Sequence, residues 1–122
     1  MKVFGHRWIE YETFYSVENI EEIKRTPPNS LLHIDSLSDH IEIVKYCQKN
    51  SVSYALRVVE IKEAIFANNL GATFLLCSQS LAKELMPIAQ NYLFDAQVIA
   101  YISKESEIAE MAKSGVDGVK FR

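Results

Sequence analysis

The sequence predicts an α/β fold: a three-layer, doubly wound, mainly parallel sheet of five to six strands. Three observations carry it. Short apolar runs alternate with amphipathic segments from residue 12 onward, the pattern of a parallel sheet joined by helical crossovers. ATFLLCS (72–78) and QVIAYIS (97–103) are near-continuous apolar runs, as in strands covered on both faces. The 122 residues suit one domain, 1–122, with a core of its own. They supply too few units for a closed eight-unit barrel.

In chain order, residues 1–30 hold N-terminal strand or strands and a short helix. ETFYSV (12–17) is β-rich, and KVFGHRWI before it is an extra edge strand or one arm of a hairpin with it. ENIEEIKRT (18–26) is a helix with Ile20 and Ile23 inward, ended by the prolines of PPNS. LLHID (31–35) opens the βα repeats of residues 31–122. SLSDHIEIVKYCQKN (36–50) is a helix begun by Ser36 with Asp39, or by Ser38, with Ile43, Val44 and Cys47 inward. YALRVV (54–59) is a strand; EIKEAIFANNLG (60–71) is a helix closed by Gly71. After strand 72–78, QSLAKELMPIAQNYLF (79–94) is helical, kinked or divided at Pro87. After strand 97–103, KESEIAEMAKS (104–114) is a helix closed by Gly115, and VDGVKF (116–121) is the last strand.

The bulk numbers narrow function. A net charge of −3, from 13 basic and 16 acidic residues, argues against nucleic-acid binding, which needs a basic face. Cys47 and Cys77 lack metal or redox spacing and read as reduced core thiols. No apolar run approaches the ~18 residues of a membrane span, and MKVFGHRWIEYE lacks a signal-like apolar stretch. A cytoplasmic chain away from membranes is expected. No GxGxxG, P-loop or GxSxG stands in the sequence, so no cofactor is expected. His6, His33 and His40 show no ligand spacing, so neither is a metal. The aromatic residues Trp8, Tyr11, Phe14 and Tyr15 suit edge packing or self-association.

In an open α/β sheet, ligands bind beyond the carboxyl ends of the strands. The residues there are Asp35 and Ser36, Glu60, Cys77 with Ser78 and Gln79, Ser103 with Lys104, and Lys120 with Arg122. Such polar groups suit a small anion or a metal site. The plainer reading of Ser36, Ser78, Ser103 and Asp35 is helix capping.

From residue 31 the chain resembles a degenerate response-regulator receiver domain, of flavodoxin-like fold. LLHIDS resembles the strand ending in acidic metal ligands, FLLCS the strand ending in the phosphoacceptor, and VIAYIS with KESEIAEMAKSGVDGVKF the switch hydroxyl, helix and final lysine strand. The resemblance implies that Asp35 and Ser36 match the acidic pair, Cys77 the phosphoacceptor, Ser103 the switch and Lys120 the lysine. Cysteine in place of aspartate forms no acyl phosphate, one acid of the pair is missing, and Phe121 stands where a proline is usual. The implied function is a non-catalytic binding or signalling module that is not phosphorylated and acts through a protein partner or self-association. GATFLLCS and GVDGVKF also resemble strands of Schiff-base aldolase barrels. That likeness implies a lyase with Lys120 as the amine and Glu60 as a candidate base. A structural subunit of a homo-oligomer is the third reading.

Overall fold

The computed structural model describes residues 1–122. Seven strands and five helices are present, and they alternate from the second strand on, a loop separating the first two strands: β1 (Lys2–Phe4), β2 (Phe14–Ser16), α1 (Ile20–Lys24), β3 (Leu31–Ile34), α2 (Ile41–Lys49) and β4 (Tyr54–Arg57). There follow α3 (Ile61–Asn69), β5 (Phe74–Cys77), α4 (Gln79–Asn91), β6 (Gln97–Ile102), α5 (Ser106–Lys113) and β7 (Gly118–Phe121). All the strands are parallel and lie in one sheet, in the order β1-β7-β6-β5-β4-β3-β2.

The α/β class with a parallel sheet is as the sequence predicts. The strand count is seven rather than five to six, because KVF forms a strand of its own. It pairs with β7, Lys2 lying opposite Gly118 and Phe4 opposite Lys120, and makes no hairpin with β2. The order differs from a doubly wound one, in which the chain starts near the middle and reverses direction. Here β2 to β7 follow one another across the sheet. Right-handed crossovers taken always in one direction lay every helix on the same face.

The core shows this directly. Buried side chains of all five helices, among them Ile23, Val44, Ala64, Leu85 and Met111, share one apolar cluster with Leu32, Leu56, Leu75, Val98 and Val119 of the strands. The alternate strand positions, with period two, form a second cluster with no helical member: Phe4, Leu31, Ala55, Phe74, Leu76 and Ile99. The layer beyond that face is the sheet itself, curled round. Phe4 at one edge and Phe14 at the other stand with ring centroids 5.1 Å apart in an edge-to-face contact, the geometry that aromatic pairs favour. Aromatic side chains thus bridge the seam between β1 and β2. Tyr11 stacks obliquely on Phe4 at 4.5 Å, and its hydroxyl accepts from the Val3 N–H at 3.1 Å, satisfying one donor of the open edge.

Local chemistry explains most boundaries. Asn19 caps α1 by accepting from Glu22 N at 2.9 Å, while the Glu22 carboxylate accepts from Glu18 N at 3.1 Å, a reciprocal cap. Gly71 and Gly115 take φ of +82° and +76° just past helix ends, where a side chain would be strained. Two expected boundaries move. The second helix starts at Ile41 and not at Ser36, because Ser36–Asp39 forms its own turn with Ser36 Oγ accepting from Asp39 N at 3.4 Å. Pro87 does not divide α4, which runs unbroken from Gln79 to Asn91.

Candidate functional site

Period-two alternation sends every second strand residue into the concave face. Near the N-terminal ends these are the apolar residues of the second cluster. At the carboxyl ends they become polar: Ser16 on β2, His33 on β3, Arg57 on β4, Tyr101 on β6 and Lys120 on β7. The apolar plug below and the polar ring above make a floor and a mouth. Lys120 lies opposite Tyr101 on one side and Phe4 on the other.

The cations of the mouth are held by rings rather than by acids. The Lys120 ammonium lies 5.3 Å from the centroid of Phe14, and the Arg122 guanidinium 4.3 Å from that of Tyr101, both within cation–π range. Arg57, Lys120 and Arg122 take part in no ion pair, as is true of most lysines and arginines here; of these only Lys24, Lys62 and Lys83 have a glutamate partner. Asp35 is exposed and makes no ion pair with Lys120.

Electrostatics ties these groups together. Burial lowers the pKa of His33; the charges of Lys120 and Arg57 push the same way, against Asp35. These effects favour the neutral imidazole, with Ser16 Oγ at 3.5 Å from Nδ1. Burial raises the Tyr101 hydroxyl, opposed by Arg122 and Arg57. The two half-buried groups, on β3 and β6, thus both sense Arg57, which stands on β4 between them.

Three depressions surround the mouth. One of about 120 Å³ is lined by Arg57, Tyr101 and Arg122 with Cys77 and Ser78 at its wall. A second, about 380 Å³, opens beside it over Ser78, Gln79, Ser103, Tyr101 and Arg122. A third, about 370 Å³, lies across Lys120 against Phe4, Ile9, Tyr11 and Phe14. A separate depression of about 400 Å³ between α1 and α2 is lined by exposed acids such as Glu18, Glu21 and Glu42. No group of three or more His, Cys, Asp or Glu side chains gathers in a metal-binding arrangement.

The strand-end residues singled out from sequence fall into two groups. Lys120 and Asp35 reach the mouth. Ser78 and Ser103 border it but serve helices: Ser78 Oγ accepts from Leu81 N at 3.2 Å, and Ser103 donates to Glu107 from both N–H and hydroxyl, at 3.0 and 3.2 Å. Ser36 closes the turn before α2. Glu60 is exposed and paired with Lys62 at 3.5 Å. Cys77 points to the helix side, is buried, and donates to the Ile99 carbonyl at 3.8 Å; burial pushes its thiol up to about 12. The receiver-like triad of Asp35, Cys77 and Lys120 therefore has its middle member on the opposite face of the sheet from Lys120.

Sequence reasoning passed over Arg57, His33 and Tyr101. The sequence places this strand at YALRVV (54–59), with Glu60 as the group just beyond it, whereas β4 ends at Arg57. The signal was present in the alternation itself: Ala55 and Arg57 share a face, as do Leu31 and His33, Ile99 and Tyr101, and Gly118 and Lys120. No protein-family model matches the chain, and no curated protein matches it significantly. No helix is long and apolar enough to cross a membrane.

Proposed function

We propose that the protein binds a small oxyanion, a carboxylate or phosphate, at the carboxyl-end mouth of its curled sheet. The observation that carries this reading is the gathering of Arg57, Lys120 and Arg122, without ion pairs, around a concavity of a chain whose net charge is −3. Three cations with Asp35 as the opposing acid, and no ion pair among them, leave a net positive field beside the apolar floor for an incoming anion. Arg57 and Arg122 offer planar donor forks suited to carboxylate or phosphate oxygens, and Lys120 adds a point charge. The neutral His33 is ready to donate once an anion raises its pKa.

The reading keeps the non-catalytic binding module that the sequence suggests and moves its site. A receiver-like crevice needs Cys77 and Lys120 together; a barrel-like mouth needs only alternate residues of successive strands, which the sequential order supplies. Titration with inorganic phosphate, followed by amide NMR, tests it. Saturable shifts are expected at Arg57, Tyr101 and Lys120, and Arg57→Gln is expected to weaken binding about tenfold. Absence of saturable shifts at tens of millimolar phosphate would remove the reading.

A second reading, carbonyl chemistry at Lys120, is favoured by one observation: its amine stands in the concavity without an acid partner and close enough to His33 to influence its ionisation. The neutral amine would add to an aldehyde or 2-oxo acid, lose water to form an imine, and be fixed as a secondary amine by borohydride hydride. Failure to trap any member of such a panel at Lys120 would dismiss it.

A further inference from the structure

The depression across Lys120 from the arginines has a different chemistry. Its wall is the aromatic seam, Phe4, Tyr11 and Phe14, with Ile9 on the β1–β2 loop at 42% exposure. Glu12 is the one acid lining it, at the rim. Lys120 belongs to both surfaces: its ammonium lies over Phe14, while its charge acts on His33 in the mouth. A volume of about 370 Å³ falls in the range of small-molecule sites and accommodates a ring or a branched chain.

We propose that the ligand is an amphipathic oxyanion, its head among Arg57, Lys120 and Arg122 and an aromatic or branched apolar tail laid in the seam between β1 and β2. The inference rests on the oxyanion reading above and adds the nature of the tail. Charge on one side of Lys120 and apolar surface on the other match one molecule with both characters. A simple inorganic anion would leave the seam facing water. Oblique and edge-to-face rings already line the seam, and a further ring extends that packing.

Paired titrations with inorganic phosphate and phenyl phosphate test it, read by the amides of Arg57 and Lys120 and by the fluorescence of Trp8. Trp8 is the single tryptophan, 78% exposed and adjacent to Ile9. Phenyl phosphate is expected to bind about tenfold more tightly than phosphate and to change Trp8 emission. The gain is expected to vanish in Ile9→Ser, a loop position outside both apolar clusters, while phosphate affinity stays unchanged. Equal affinities for the two probes, or a gain that persists in Ile9→Ser, would overturn the tail assignment and leave the oxyanion reading intact. No response of Arg57 and Lys120 to either probe would overturn both.

Discussion

Single residues in this fold are set by which face of a strand they occupy. His33 and Ile34 are neighbours in sequence, yet one faces the mouth and the other is fully buried under helices. Cys77 illustrates the cost of missing that distinction: its place at a strand end is correct, but its thiol lies with the helices. Glu107 gives the residue-scale prediction. Its carboxylate accepts from the Gln79 side chain and from Ser103 and Lys104 just before α5, at 3.0 and 2.9 Å for the two backbone donors. Of these, the Gln79 bond does most to hold its pKa down to about 2. A carboxyl with a depressed folded pKa contributes stability that is fully present above its ordinary range and is lost as pH falls through about 2. Glu107→Gln is therefore expected to lower Tm by a few degrees at pH 7, with the gap to the parent closing between about pH 4.5 and pH 2 in a thermal-melt series. A gap independent of pH would show that packing, not charge, is at work.

At the level of elements, the edge strand β1 depends on a glycine opposite it. A Cβ at Gly118 would come within 2.7 Å of Ile99 Cδ1 and 2.9 Å of the Lys2 carbonyl oxygen. The isoleucine terminus can turn aside, but the carbonyl is part of the β1–β7 pairing and moves only if β1 moves. The reduced chain entropy of alanine in the unfolded state stabilises by about 0.4–1 kcal/mol, whereas overpacking costs about 1–3 kcal/mol; overpacking wins. Gly118→Ala is expected to lower the urea midpoint with an unchanged slope and to weaken protection of the Phe4 and Lys120 amides in hydrogen exchange. An unchanged midpoint would mean that β1 contributes little to the folded sheet. Elements were also the best-read level of the sequence. The six strands after residue 12 and the five helices were legible from apolar patterning, because the inner strands β3 to β6 are buried on both faces and each helix on one. KVF was legible as an edge strand but not as to its partner, since three residues carry no period that could select β7. The α2 start was misread because a serine and an aspartate three residues apart also make a free-standing turn.

The whole molecule owes its site to strand order, the property least legible in the sequence. Alternating βα units fit both a doubly wound sheet with two helical layers and a sheet wound in one direction with one. Local patterning is the same in each; what separates them is the long-range choice of neighbour, and here Phe4, Tyr11 and Phe14 fix it by joining the two edges. That curl turns the row of alternate residues into a concavity and assembles Arg57, Tyr101, Lys120 and His33 from four strands. The central claim is that this concavity receives an anion, and the His33 imidazole is its built-in reporter. In the free protein its pKa is depressed by burial, with Lys120 and Arg57 adding to the effect. Proton–carbon NMR titration of the His33 ring, with and without saturating phosphate, measures the response directly. An anion among those cations offsets their charge and favours the imidazolium, so the pKa is expected to rise on binding; a His33 pKa that stays fixed or falls while phosphate binds would contradict the account.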